Sequence, residues 1–249
     1  MGTQTPRSIF QKRSGYFIFL ILLISFIALI TATTHAHSKN TREIFINNIA
    51  KAAITANANI SLTRKQILKL RNIYLKTKQL DSEDNTWLIN ICKNYKIKNI
   101  NFDNKKMWNR LLTRVDIIPV SLVIAQAAHE SNWGKSRFSV EANNYFGQHC
   151  LETGCGIKPK IIDSKRKFEV RIFPDMFTSV ESYMLNLNTN RHYQKLRMLR
   201  TQLKKQNIKI NGYILAEGLE HYSQQKIYVE RIRFIIKSYN LDSFDRYTH

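Results

Sequence analysis

The chain has 249 residues, of which 43% are hydrophobic, and it carries a formal net charge of +21 at pH 7. This length provides one substantial hydrophobic core, or one core with a small helical region beside it. The charge attracts polyanions without a specific site, but Lys, Asn and Ile are abundant throughout, so compositional bias explains it equally well. The sequence has no zinc-finger spacing and no aromatic RNA-binding motif, which argues against a specific nucleic-acid partner.

An apolar segment lies near the start of the chain. Tyr16–Ile30 contains no charged residue and follows Arg7, Lys12 and Arg13, the layout of a secretory signal or an uncleaved anchor. We therefore predict that residues 1–38 are a signal peptide or an N-terminal membrane anchor, with residues 16–32 as the inner-membrane tether. The rest of the chain is then exported to the cell envelope or periplasm. The run is short for a full span and 34–36 is an imperfect cleavage site, so removal and retention both remain open.

Residues 39–115 have apolar side chains at helical spacing, as in Ile67, Leu70 and Ile73. This pattern predicts several short helices. Asp81, three residues before Asp84, indicates a capped helix start. Because no glycine occurs between residues 38 and 133, we expect this accessory helical region to pack on the following domain or to extend it.

Residues 116–249 are predicted to form the catalytic domain. Pro119 opens a helix that runs to about Ser131. Residues 157–162 and 167–173 flank a polar turn, and the second run alternates in polarity, which predicts a β-hairpin. Thr178 begins a capping-box pattern for the next helix, and further helices are expected at 193–203 and 224–239. The predicted class is α+β, mainly α: a helical domain with a small β-hairpin lobe and a cleft between them.

Cys150 and Cys155 bracket a loop that contains a glycine, and an oxidising compartment would allow them to form a local disulfide. A zinc site that includes His149 is the alternative, but a second ligand pair is missing. Cys92 lies in an amphipathic segment and is expected to be a small buried hydrophobe. We predict no metal and no cofactor.

Glu130 is the candidate proton donor. A carboxylic acid stays protonated near neutral pH when apolar surroundings or adverse electrostatics raise its pKa. Glu130 lies at the predicted C-terminal end of an apolar helix, where the helix dipole disfavours negative charge, and Trp133 can exclude water from it. Nearby positive charge would lower this pKa, and three candidates follow or precede Glu130 in the sequence: His129, Lys135 and Arg137. The spacing by itself is more typical of a solvated glutamate at a helix end.

Several motifs in this half of the chain resemble one known family. Residues 119–138, which include Ala-Gln-Ala-Ala-His-Glu-Ser-Asn-Trp-Gly, and Asn143-Asn-Tyr-Phe-Gly147 resemble the glucosaminidase domain of glycoside hydrolase family 73. Residues 167–173, 179–183, 187–193 and 216–223 are similar to the Bax-type branch of that family. The resemblance covers residues 119–239, about half of the chain.

This resemblance implies a lysozyme-like fold and endo-β-N-acetylglucosaminidase activity on peptidoglycan glycan strands, with Glu130 as the catalytic acid. Asn144, Phe146 and Tyr193 match cleft positions that hold the sugar, which suits aromatic stacking and amide hydrogen bonding. We also predict substrate contacts for three further residues: Gln126, Trp133 and Tyr183. The position of Tyr183 on an amphipathic helix favours the core for this residue.

The second catalytic group remains open. Glu169, on the predicted hairpin, is a candidate base or nucleophile. Alternatively the substrate acetamido group attacks and needs a polar orienting group such as Tyr193. Two other functions also remain open: a muramidase or lytic transglycosylase, although the segment after Glu130 lacks their usual Gly-Leu-Met-Gln type of motif, and a noncatalytic, basic, membrane-tethered module that binds glycan or scaffolds other proteins.

Overall fold

The computed structural model describes residues 7–159, 168–220, 222 and 227–247, with the side chains of 7–39 and 247 excepted. The chain divides into two compact units, Met1–Phe45 and Ile46–His249. The predicted signal or anchor segment, residues 16–32, lies outside the described side chains. Among the side chains that are described, no helix is long and apolar enough to cross a membrane.

The described part of the chain is mainly helical, as predicted. Its α-helices are α1 (Arg7–Thr77), α2 (Ser82–Asn94), α3 (Lys105–Arg114), α4 (Val120–Ser131), α5 (Arg137–Ala142), α6 (Met176–Thr189), α7 (Gln194–Lys205), α8 (Gly212–Leu215) and α9 (Tyr228–Ser238). Three 3₁₀ segments cover Arg191–Tyr193, Ala216–Leu219 and Leu241–Tyr247.

Two expectations about helix bounds were wrong. Residues 41–77 belong to one continuous helix, α1, and not to several short ones. Since α1 contains no proline, none of its backbone N–H donors is missing and nothing forces a break. Helix α6 begins two residues before Thr178, because the Asp175 carboxylate accepts the Thr178 N–H at 2.7 Å and caps the helix. The Asp81 cap of α2 is confirmed, with the Asp84 N–H at 2.8 Å.

The β-lobe is a small antiparallel sheet. Its strands are β1 (His149–Cys150), β2 (Gly156–Ile157) and β3 (Glu169–Arg171), with β3 in the centre. The antiparallel pairing of β2 with β3 confirms the predicted hairpin, although both strands are shorter than expected, β1 was not predicted, and residues 160–167 lie outside the described part. A Cβ on Gly156 would lie 2.1 Å from the Val170 carbonyl oxygen, so this close pairing requires glycine.

Helix α4 lies at the centre of the helical part. Every residue from Val120 to Ala128 is at most 1% exposed, and the helix is packed against α8, α9 and the last 3₁₀ segment. The buried Asp245 carboxylate accepts hydrogen bonds from the Ser121 N–H at 2.9 Å, the Ser121 hydroxyl at 2.7 Å and the Gly212 N–H at 3.0 Å. These bonds join the beginning of α4 to α8 and to the end of the chain.

Residues 46–115 belong to the same compact unit as α4. The Asn57 side chain on α1 exchanges two hydrogen bonds with the backbone of Ile118, at 2.7 and 3.0 Å. The Arg64 guanidinium donates to the Val115 carbonyl oxygen at 2.7 Å. Helix α1 is therefore hydrogen-bonded to the segment before α4, and the division into an accessory region and a catalytic domain stays a prediction.

A buried ionic cluster lies between α1, α7 and the segment before α4. Arg200 is fully buried, and its guanidinium donates to the carbonyl oxygens of Ile117 at 2.7 Å and Thr113 at 2.8 Å and to the Asn188 side chain at 2.8 Å. Its Nε lies 3.7 Å from the buried Asp116 carboxylate. One charged side chain thus satisfies backbone acceptors from two segments.

We predict that Arg200→Ala destabilises the protein by about 3–5 kcal/mol, because it leaves buried acceptors and a buried carboxylate with fewer partners. The free energy of unfolding is measured by urea denaturation followed by circular dichroism. Arg110→Ala, at an exposed arginine, is the matched control and should change it by less than about 0.5 kcal/mol. Equal effects of the two substitutions would contradict a structural role for the buried cluster.

Candidate active site

The carboxyl group of Glu130 lies half-buried at the C-terminal end of α4. Its Oε1 accepts a hydrogen bond from the Tyr228 hydroxyl at 2.7 Å. Burial raises the pKa of Glu130 above its usual value, and the Tyr228 hydrogen bond, which favours the ionised form, opposes this shift. The sequence left the net direction open, because His129, Lys135 and Arg137 opposed the apolar surroundings; burial makes the shift upward.

A chain of hydrogen bonds orients Glu130 from inside the core. The Tyr183 hydroxyl donates to the Gln126 Oε1. The Gln126 Nε2 then donates to the Tyr228 hydroxyl oxygen at 2.8 Å, and that hydroxyl donates onward to Glu130. Gln126 and Glu130 lie one turn apart on α4 and share a face. Because the Gln126 amide fixes the acceptor side of Tyr228, the Tyr228 proton points to the carboxyl group.

Aromatic rings surround this chain. The Tyr222 ring stacks on Tyr228 with centroids 5.4 Å apart and lies 5.9 Å from the Tyr193 ring. Burial, and then the charge of Glu130, raise the pKa of Tyr193 to about 12. The same two causes raise the pKa of Tyr222 well above its usual value. These phenols are therefore neutral at physiological pH and act as hydrogen-bond donors.

Sequence reasoning missed Tyr228 as a site residue and did not assign a role to Tyr222. Tyr222 lies in one of the quoted motifs, which was a usable signal. Tyr228 begins α9, 98 residues from Glu130, and no local pattern links the two positions. Tyr193, which was predicted as a site residue, packs with Tyr222, and Tyr222 stacks on Tyr228. We call these three residues the tyrosine cluster.

Four predicted substrate-binding residues are buried: Gln126, Asn144, Phe146 and Tyr183. The Asn144 amide donates to the carbonyl oxygens of Gln148 and Arg171, both at 2.8 Å, and accepts the Gln148 N–H at 3.0 Å. The Phe146 ring stacks on Tyr183 with centroids 3.9 Å apart. These contacts support the walls of the site from behind. Direct contact with a sugar stays a prediction for all four residues.

Trp133 follows α4 in a left-handed backbone conformation, with φ of 59°. Its ring packs against Tyr239, with centroids 4.5 Å apart. The described side-chain contact of the Glu130 carboxyl group is with the Tyr228 hydroxyl. The predicted role of Trp133, which is to exclude water from Glu130 or to bind substrate, stays a prediction.

Glu169 lies in the β-lobe and is 8% exposed. Its Oε2 accepts the Gly156 N–H at 2.8 Å. Cys150 and Cys155 form a disulfide, and their sulfurs and a Glu169 oxygen lie within 4.8 Å of one another. These three residues are potential metal ligands by type, but a disulfide leaves neither sulfur as a thiolate. The described hydrogen bond of Glu169 thus supports the β-lobe, and its catalytic role stays a prediction.

A family model described as Glucosaminidase, mannosyl-glycoprotein endo-beta-N-acetylglucosaminidase, matches residues 105–241. Protein bax of Escherichia coli K12 is 31% identical over 182 residues, which are 73% of this chain and 63% of that protein. The chain therefore spans less than two thirds of that relative. The catalytic domain of the autolysin Auto from Listeria monocytogenes is 20% identical, with a TM-score of 0.44, over 82% of this chain and 87% of that domain.

The family match covers more than half of the chain and contains α4, the β-lobe, the tyrosine cluster and α9. The chain belongs to the glucosaminidase family, described as mannosyl-glycoprotein endo-beta-N-acetylglucosaminidase.

Proposed function

We propose that the protein hydrolyses peptidoglycan glycan strands as an endo-β-N-acetylglucosaminidase, with Glu130 as the general acid. One observation carries this proposal: a carboxyl group whose pKa is raised by burial is held at a helix end by a tyrosine hydrogen bond. Such a group can keep its proton near neutral pH and transfer it to a leaving glycosidic oxygen. Family membership supports the reaction class.

The orientation of Glu130 follows from its hydrogen bond. Oε1 accepts from Tyr228, which assigns the transferable proton to the other oxygen, Oε2. Protonation lets the glycosidic C–O bond break as positive charge develops on the sugar ring. The Tyr222 hydroxyl donates to the Phe146 carbonyl oxygen at 2.9 Å, so Tyr222 offers its ring, and Tyr193 its ring and hydroxyl, to the sugar.

For the attack on the anomeric carbon, which displaces the leaving oxygen as Glu130 protonates it, we favour the substrate acetamido group as nucleophile. Tyr193 lies in the tyrosine cluster, close enough to Glu130 for its charge to raise the Tyr193 pKa. This position suits a residue that orients the acetamido group. One oxygen of Glu169 is engaged by Gly156 in the β-lobe. Attack by the acetamido oxygen requires no protein nucleophile, and water then opens the resulting ring.

The proposed substrate places the protein outside the cytoplasm, in the cell envelope. This location agrees with the predicted export segment at residues 1–38 and with an oxidising compartment for the Cys150–Cys155 disulfide. Retention of residues 16–32 would tether the enzyme to the inner membrane.

We predict that Glu130→Gln lowers the release of reducing ends from purified peptidoglycan by about 10²–10⁴-fold, because the amide has no transferable proton. Glu141→Gln, at an exposed glutamate on α5, is the matched control and should retain activity. Mass spectrometry of the products should find reducing N-acetylglucosamine ends. Reducing N-acetylmuramic acid ends would indicate a muramidase, anhydro ends a transglycosylase, and no product a binding module.

Tyr228→Phe removes a hydrogen bond that stabilises ionised Glu130 and should therefore raise the pKa of Glu130 further. Since the protonated acid is the active form, activity falls as pH rises through this pKa. The alkaline limb of kcat/KM should move upward by about one to two pH units, as measured from the pH profile. An unmoved alkaline limb in a folded variant would show that Tyr228 does not control the ionisation of Glu130.

Glu169→Gln should keep kcat within about tenfold of the wild type if the acetamido group is the nucleophile. The measurement is glycan cleavage with and without azide, an external nucleophile, followed by mass spectrometry, because attack by azide gives a glycosyl azide in place of a reducing end. A loss of more than about 10²-fold that azide restores would instead assign the nucleophile to Glu169.

A further inference from the structure

A groove near the N-terminal end of α4 has no part in the proposed acid catalysis. It lies between α1, the segment before α4 and the connection from α7 to α8, and it encloses about 610 Å³. Cavities of several hundred cubic ångströms are typical of sites for small molecules or short peptides. We call it the basic groove after its four cationic side chains: Arg64, Lys65, Lys204 and Lys209.

The charge in the basic groove is unbalanced. Asp116 is its acidic lining residue, and this buried carboxylate lies 2.5 Å from the Lys204 ammonium and 3.8 Å from the Arg64 guanidinium. Lys65 and Lys209 are exposed. Burial lowers the pKa of Lys204, and the positive charges of Arg64 and Arg200 lower it further, against the effect of Asp116. The groove therefore has a surplus of positive charge that an anionic ligand would neutralise.

The basic groove is also lined by aliphatic side chains. Its aliphatic lining residues are Leu68, Ile117, Ile208 and Ile210. Ile117 and Ile210 are buried, whereas Leu68 and Ile208 are 37% and 46% exposed. A ligand that covers these two side chains gains hydrophobic contact in addition to ion pairing. The matching ligand carries carboxylates and small apolar groups on one short chain.

Free phosphate matches only part of this lining. Lysine ammoniums bind phosphate as point charges, but a phosphate ion would leave the aliphatic side chains uncovered. Lysine ammoniums beside aliphatic groups suit a peptide with alanine methyl groups and free carboxylates.

We propose that the basic groove binds the carboxylate-bearing stem peptides of peptidoglycan, an inference that rests on the proposed function for its substrate. The groove lies at the N-terminal end of α4 and Glu130 near the C-terminal end, about 15–20 Å apart along the helix. An extended peptide of four or five residues spans at most about 13–18 Å. The two lengths overlap, so a fully extended stem peptide can reach the groove from a glycan strand bound beside Glu130.

The first test measures peptide binding without catalysis. Calorimetric titration of the full chain with a synthetic Ala-Glu-Ala-Ala peptide should show binding that is lost when the carboxylates are amidated. The double variant Lys65→Gln and Lys209→Gln should bind about three- to tenfold more weakly. The charge-matched control, Lys76→Gln with Lys93→Gln, changes exposed lysines outside the groove and should bind as the wild type does.

The second test separates this inference from the proposed function. The groove variant should have a higher KM for glycan strands with stem peptides and an unchanged kcat/KM for strands freed of them by an amidase. If neither strand is cleaved by the wild type, the proposed function fails while the titration still decides whether the groove binds peptide.

Three results would overturn the proposal. One is no peptide binding at all, and another is equal binding by the groove variant and the wild type. The third is that inorganic phosphate or anionic lipid vesicles, and not the peptide, bind in a manner that depends on Lys65 and Lys209, which would assign the groove to phosphate ligands.

Discussion

The burial of α4 from Val120 to Ala128 is the constraint on which the rest of the structure depends. A helix segment enclosed in this way needs every polar side chain on it to have a partner inside the protein. Gln126 is such a side chain, and its amide is satisfied by Tyr183 on one side and by Tyr228 on the other. Because Tyr228 is fixed in this way, its hydroxyl donates to Glu130 one turn further along. The packing of the core thus orients the proposed acid.

Two opposing effects then determine the ionisation of Glu130. Burial penalises the carboxylate, whereas the Tyr228 hydrogen bond favours it, and burial is the larger effect. Tyr193, Tyr222 and Tyr228 do not transfer a proton to this carboxylate, since burial raises the pKa of each phenol. They contribute neutral hydrogen-bond donors and ring surfaces. This combination suits a proton donor better than a permanently ionised group.

The opposite end of α4 has the reverse electrostatic character. There Asp116 is paired with Lys204 and approached by two arginines, and further lysines line the nearby groove. The buried Arg200 guanidinium on α7 donates hydrogen bonds to backbone carbonyl groups and to Asn188. These bonds join α7 to the segment before α4. Helix α4 therefore separates the aromatic surroundings of Glu130 from the basic groove. The ligands proposed for the two places, glycan and stem peptide, are the two chemical components of peptidoglycan.

The sequence by itself determined features that depend on neighbouring residues. Pro119 predicted the start of α4, Asp81 capped α2, and the alternation in residues 168–172 predicted the hairpin pairing, because caps, turns and pleats are set within a few residues. Only the tertiary structure decided the partners of Glu130. Tyr228 lies 98 residues away, and burial of Asn144 or Glu169 depends on what packs over them. A single sequence contains local periodicity but not distant packing, and packing determines both the orientation and the pKa of a catalytic carboxyl group.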